Sequence, residues 1–272
     1  EILYTINHDG GIYDSEEYFV GYLEVKFSGG KVIVVGVEAT YDEIQTMFSL
    51  LEEGDDVYFE YGHYELGGKK LEIKTSNVSL YGNGSTIEAG IYFEGTEERP
   101  LENIRVQELN VKESLIAGVR FNLVTSGVIE NCTLVESSYG ISLRNSSNIV
   151  ITGNSVVGNT YEGIYLNISN NNIIIGNKVV NTAVENGVSL TRSNDNTITG
   201  NTISHSSNDG VKLNMSNDNT ITGNTISPYN NIGIYLISSS NNTVTGNALS
   251  GNRRYSISLT NTCNNCIVNG NI

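Results

Sequence analysis

Ile151-Thr-Gly-Asn154, Ile175-Gly-Asn177, Ile198-Thr-Gly-Asn201, Ile221-Thr-Gly-Asn224 and Val244-Thr-Gly-Asn247 repeat one phrase, with asparagines 23, 24, 23 and 23 residues apart. About half a period later a second phrase recurs: Gly140-Ile-Ser-Leu143, Gly163-Ile-Tyr-Leu166, Gly187-Val-Ser-Leu190, Gly210-Val-Lys-Leu213, Gly233-Ile-Tyr-Leu236 and Ser256-Ile-Ser-Leu259. A fixed period of this length is the signature of a stacked repeat architecture. Within each phrase apolar residues alternate, which is the period of a strand with one buried face. Clusters such as Ser193-Asn-Asp-Asn196 supply turn chemistry between them, so each repeat reads strand, turn, strand, turn. The connections are too short for helices, and identical strands in constant register stack in parallel. Equivalent residues then form columns about 4.8 Å apart along the axis. The expected fold is all-β: a parallel β-helix solenoid with repeats over residues 101–272.

The columns give each position a meaning. Asn154, Asn177, Asn201, Asn224 and Asn247 follow the bend and are expected to point inward, each amide hydrogen-bonding its counterparts above and below. Cys132 takes this place one coil earlier and Leu109 one before that, so the ladder begins apolar and becomes amide.

Upstream, Thr40-Tyr-Asp-Glu43 is a capping box, Ile44, Met47, Phe48 and Leu51 form an apolar stripe, and Gly54 ends it. The pattern predicts an amphipathic helix over 41–53 that covers the mouth of the first coil. Residues 40–272 then form the β-helix. Residues 1–39, with Val20-Gly-Tyr-Leu-Glu-Val-Lys-Phe27 and Val32-Ile-Val-Val-Gly-Val37, predict a small N-terminal β extension.

Helix, Gly54-Asp-Asp-Val-Tyr-Phe59, Gly62-His-Tyr64 and Asn77-Val-Ser-Leu-Tyr-Gly82 together resemble the entry to the pectate-lyase-like right-handed β-helix superfamily. Residues 101–272 resemble the repeats of its NosD-like members, found in archaeal surface proteins and viral spikes. The resemblance covers about 230 residues and implies right-handed winding, in line with the crossover rule for parallel strands. It spans lyases, hydrolases, epimerases and non-catalytic proteins, so it implies no single activity.

Charge narrows the function. With 30 Asp+Glu against 15 Lys+Arg the chain carries a formal charge of -15, and no basic stripe with interleaved aromatics offsets it, which sets nucleic acid aside. The excess lies in residues 1–100, which hold 20 acidic and 6 basic side chains. No run of about 18 apolar residues could span a bilayer. The start at Glu1, without Met or a signal pattern, reads as a mature or trimmed form. Seven Asn-x-Ser/Thr sequons, at Asn77, Asn83, Asn131, Asn145, Asn167, Asn214 and Asn241, fit a glycosylated protein of the cell surface, exterior or virion surface.

Chemistry on such a scaffold needs outward carboxylates, a cation site or aromatic platforms. The column before the repeated glycine runs Tyr139, Glu162, Asn186, Asp209, Ile232, Tyr255. It sets Glu162 and Asp209 on one face two coils apart, roughly 9–10 Å, near the upper gap of inverting glycosidases. His205 is expected nearby as a third catalytic candidate, and Tyr165, Lys212 and Tyr235 as ligand-binding neighbours. A pair of solvated turn residues would look the same in sequence. Asp195 and Asp218 are adjacent in the column Asn171, Asp195, Asp218, Asn241; calcium is the cation such a pair would take, against ordinary Asx turns in water. No other cofactor is indicated. Cys263-Asn-Asn-Cys266 lacks the partners of a zinc site and leaves a local disulfide or two free thiols.

From Leu109 to Asn247 the coils keep 22 to 24 residues, with no long loop to wall a pocket. The reading is an extracellular structural or interaction module, such as a surface-layer, filament, spike or adhesin component. The alternative is a protein that binds or cleaves extracellular polysaccharide as a lyase or glycoside hydrolase, its outer tyrosines stacking on sugars. The sequence stops at Asn269-Gly-Asn-Ile272 partway through a coil, leaving Ile257, Leu259 and Ile267 near an open edge. Self-association or a neighbouring surface protein is the expected partner there.

Overall fold

A computed structural model describes residues 3–7, 22–27, 30–180 and 182–272, with side chains from Gly30 onward. Three strands open the chain: β1 (Leu3–Asn7), β2 (Tyr22–Phe27) and β3 (Gly30–Val35). Then come α1 (Tyr41–Ser49), β4 (Asp56–Phe59), β5 (His63–Ile73), β6 (Ser79–Tyr81) and the long β7 (Thr86–Glu94). From there the chain winds in coils of three strands each. One coil holds Ile149–Thr152, Ser155–Val157 and Ile164–Asn167; the next holds Ile173–Ile175, Lys178–Val180 and Val188–Thr191. They pair in parallel with Ile151 opposite Ile174, Val156 opposite Val179 and Ile164 opposite Val188.

The sequence gives two strands per repeat, and the third is the correction. It follows the inward asparagine at once and is two or three residues long, with one inward side chain per coil: Leu134, Val156, Val179, Ile203, Ile226, Leu249. A single buried residue cannot display alternation. The three stacks form a first sheet of 13 strands, while the second and third join through β7 into a curled 16-stranded sheet. The protein is an all-β parallel solenoid of right-handed type with about 10 turns.

Each coil is held on its neighbours by an apolar interior and by polar ladders at the bends. Ile151, Ile174, Ile198, Ile221 and Val244 stack from the first sheet, and Leu166, Leu190, Leu213 and Leu236 from the third; all are fully buried. The asparagine column points inward, as expected. Asn177 Oδ1 accepts from the backbone N–H and Nδ2 of Asn154 at 2.9 Å each, and Asn177 Nδ2 donates to Ile151 O. Asn271 continues the column, accepting from Asn247.

A second amide ladder, Asn172, Asn196, Asn219 and Asn242, lies one residue beyond the column read for cations. A hydroxyl ladder, Ser146, Ser169, Ser193, Ser216 and Ser239, runs beside it. Cys263 and Cys266 occupy the next places of these two ladders: Cys263 Sγ lies 3.6 Å from Leu236 O and Cys266 Sγ 3.3 Å from Ser239 O. Both are free thiols, so the short cysteine spacing is ladder register.

The glycine of the second phrase is fixed by close approach. A Cβ at Gly187 would sit 2.4 Å from Ile203 Cγ2 and 2.7 Å from Gly210 O, and Gly140, Gly163 and Gly210 are equally crowded by Val156, Val179 and Ile226, the inward residues of the second strand in the following coil. Gly187→Ala is therefore expected to lower stability by about 1–3 kcal/mol, the usual overpacking cost, in urea unfolding.

At the N-terminal end α1 opens on the capping box, with Glu43 N donating to Thr40 Oγ1 and Thr40 N to Glu43 Oε2. It stops at Ser49, four residues short of the expected 53, because buried Asp55 accepts Glu52 N–H at 2.8 Å and draws the chain into a turn. Ile44, Met47 and Phe48 are buried. Gln45 brackets the edge of β5, donating to Glu72 O at 3.0 Å and accepting from Glu72 N at 2.8 Å. The extension strands are not a separate layer: β1, β2 and β3 are antiparallel, and β3 joins β4 in parallel, so the first sheet runs across position 39.

Candidate functional site

On the outer surface of the third sheet, Arg120, Ser142, Tyr165, Ser189, Lys212, Tyr235 and Ser258 succeed one another coil by coil. Two residues along each strand, Asn122, Arg144, Asn167, Thr191, Asn214, Ile237 and Thr260 form a parallel column. At the bend that feeds these strands stand Glu162, Asn186 and Asp209, whose carbonyls accept from Gly140, Gly163 and Gly187 N–H in turn. The expected register of Glu162 and Asp209 is thus the observed one.

Their surroundings differ from solvated turns. Asp209 is only 2 % exposed and Glu162 is half-buried. Burial, with the charge of Glu185 next, pushes the Glu162 carboxyl up to about 7, while an Asn186 hydrogen bond and Lys212 act the other way. Burial also raises Asp209, against Lys212 and the Ile232 N–H, which donates to Asp209 Oδ1 at 3.2 Å. Asn186 ties the group together: its Oδ1 accepts Asp209 N–H at 3.1 Å and its Nδ2 lies 3.5 Å from Glu185 Oε2. Asn208 Nδ2 also reaches that oxygen at 3.4 Å. Glu185 is the member the sequence did not reveal, since it stands one place off the repeat column.

Aromatic rings adjoin the carboxylates. Tyr139 lies 5.6 Å from both Tyr161 and Tyr165, stacked on the latter with the ring planes 25° apart. Burial, with Glu162 and Tyr165 next, pushes the Tyr139 phenol up. Tyr235 sits one coil past Lys212, its hydroxyl 2.9 Å from Thr260 Oγ1. Such a group offers ring faces, a Glu162 carboxyl able to hold a proton near neutral pH beside the raised Asp209, and the Lys212 ammonium.

The structure does not bring His205 into this group. It occupies an exposed left-handed bend, with its ring 5.0 Å from that of Tyr229. Asp195 and Asp218 also occupy exposed left-handed positions and gain no further ligand: among the described residues no group of three or more His, Cys, Asp or Glu could hold a metal ion. The seven sequon asparagines all lie outside the core, five of them at left-handed backbone positions.

These features define a parallel β-solenoid with one open, aromatic and ionisable outer face. The chain belongs to the family described as periplasmic copper-binding protein (NosD), whose family model matches residues 54–265. Among curated proteins nothing matches. Of solved structures, the A-module of the mannuronan C-5 epimerase AlgE6 of Azotobacter vinelandii is similar at 14% identity and TM-score 0.63, over 76% of this chain and 61% of that one. The periplasmic alginate epimerase AlgG is similar at 14% identity and TM-score 0.56, over 92% and 80%. Tailspike protein 2 of the Escherichia coli O157:H7 bacteriophage CAB120 is similar at 14% identity and TM-score 0.58, over 84% and 40%. The chain thus spans about three fifths of the first of these and two fifths of the tailspike. At such identities the likeness is one of fold.

The family description prompts a test for copper. Burial pushes the Cys132 thiol up to about 12, which holds it neutral and away from metal binding. Cys263 and Cys266 are spent in the ladders, His63 faces Glu88 at 3.0 Å and His205 faces Tyr229. The described donors do not assemble a copper centre. No helix among the described residues is long and apolar enough to cross a membrane.

Proposed function

We propose that this chain handles polysaccharide at the cell envelope or outside it, binding an extended glycan along the outer face of the third sheet. The observation that carries the reading is the packing of Tyr139, Tyr161 and Tyr165 beside a half-buried carboxyl held near 7. Sugar rings stack on such tyrosines, and hydroxyls reach the carboxylates. Glu162 and Asp209 are the pair that would move protons if the bound chain is cleaved, Glu162 as acid and Asp209 as base. α1 serves as the cap of the first coil, its apolar side over the core and Gln45 on the edge of β5. Envelope or exterior placement agrees with the family description and with the periplasmic epimerase and phage tailspike that the fold resembles.

The second reading is a surface rod that serves only as a structural or interaction module. It is favoured by the short, uniform connections, which leave the face without walls. A polysaccharide panel followed by both binding and release of reducing or unsaturated ends separates the two. Binding is expected, weakened about tenfold by Tyr165→Ala through the lost stacking surface. Turnover that Glu162→Gln or Asp209→Asn removes would add cleavage; absence of binding to every polymer would leave the rod.

A further inference from the structure

Ladder register explains where Cys263 and Cys266 stand, but not why they are cysteines. In the four coils before them the same two places, three residues apart, are filled by Ser169 and Asn172, Ser193 and Asn196, Ser216 and Asn219, and Ser239 and Asn242. Both places change to cysteine in the same coil. A thiol is a weak donor and a weak acceptor, so neither replacement strengthens the ladder it enters. Cys263 Sγ reaches Thr260 O at 3.3 Å and Leu236 O at 3.6 Å, and Cys266 Sγ reaches Ser239 O at 3.3 Å. What two cysteines add over serine and asparagine is the bond they can form with each other.

The backbone is shaped for that bond. Asn264 and Asn265 form a turn with Cys263 and Cys266 at its ends, and Asn265 takes the left-handed conformation at φ 53°. The ends of such a turn lie within about 7 Å of each other at Cα, a distance that a disulfide spans. The corresponding pairs Asn170–Asn171, Asn194–Asp195, Asn217–Asp218 and Ser240–Asn241 form no turn of this kind. Of these five loops, only the one with cysteine ends closes. Both thiols are partly exposed, whereas Cys132, the third cysteine of the chain, is 1 % exposed in the asparagine column several coils away and takes no part.

We propose that Cys263 and Cys266 are a redox pair, free in the reduced chain and joined as a disulfide that staples this turn when the protein meets an oxidant of the disulfide class. The pairing is independent of the glycan reading and draws only on placement in the envelope or outside it, where disulfides form and persist. One thiolate attacks a sulfur of the oxidant, forming a mixed disulfide and releasing one thiol. The second thiolate then attacks the first cysteine's sulfur, closing the Cys263–Cys266 bond and releasing the other thiol. Two electrons and two protons pass from the cysteines to the oxidant.

The test is exposure of the whole folded chain, purified in the reduced form, to oxidised glutathione, read by intact mass, peptide mapping and hydrogen exchange. The parent should lose the mass of two hydrogens, keep the Cys132 thiol, and exchange about tenfold more slowly over residues 261–267 than the reduced chain. Cys263→Ser and Cys266→Asn restore the residue types of the earlier coils and so preserve the fold. Each single variant should gain one glutathione and stay open, and the double variant should not react. Uptake of glutathione by the single variants without ring closure in the parent overturns the pairing, because the thiols are then reachable but held apart. Failure of every form to react, disulfide-linked dimers of the parent, or a closed ring that leaves exchange unchanged overturns it as well, and ladder register is then the whole account of the two cysteines.

Discussion

Asn201→Asp is expected to lower stability by about 3–5 kcal/mol at neutral pH, the range for an uncompensated buried charge, and Asn201→Leu by about 1–3 kcal/mol. Asn201 Nδ2 donates to Ile174 O, Thr199 O and Asn224 Oδ1, while its Oδ1 accepts from the N–H and Nδ2 of Asn177. Leucine fills the space but leaves those groups without partners. Aspartate keeps the acceptor, yet turns a carboxylate oxygen toward three oxygens that had been receiving N–H. Equilibrium unfolding in urea measures both, and an aspartate variant as stable as the parent would mean that the column is open to water.

The second large effect is pH-dependent. The Glu162 carboxyl has its ordinary value near 4.5 in the unfolded chain and about 7 in the fold, so the native state holds its proton longer. Its contribution to stability is fully present below pH 4.5 and is lost as pH rises through 7. Glu162→Gln mimics the protonated form at every pH. Relative to the parent it should be neutral at pH 4 and more stable by on the order of 2 kcal/mol at pH 8. Asp209, also raised, contributes in the same direction. Thermal unfolding of parent and variant across this range gives the difference directly; a gap that is constant with pH would place the Glu162 carboxyl in water.

Much of the fold is legible because stacking repeats one environment many times, so that Ile151, Ile174, Ile198, Ile221 and Val244 meet the same neighbours and are chosen alike. The asparagine column is legible for the same reason. The second amide ladder keeps the same period but is hidden in the sequence, because Asn172, Asn196, Asn219 and Asn242 each stand beside an exposed turn residue and read with it as turn punctuation. Those neighbours, Asn171, Asp195, Asp218 and Asn241, supply the left-handed turn; the residue after each supplies the ladder. At the candidate site the register placed Glu162 and Asp209 in one column, but burial depends on what the bend folds against. Glu185 and Arg144 act there from outside the column, and no period marks them.

The asparagine ladder also gives the solenoid a direction. The N–H of Asn154 is received by the oxygen of Asn177, that of Asn177 by Asn201, and so on to Asn271, always by the coil that comes later in the chain. A growing polypeptide therefore finishes each turn only when the next has been laid over it, and the newest turn is always the unfinished one. Construction is ordered like courses of brick, each locking the one below. A fault in a single course leaves the earlier ones sound and the turn beneath it open, so damage divides the rod instead of dissolving it.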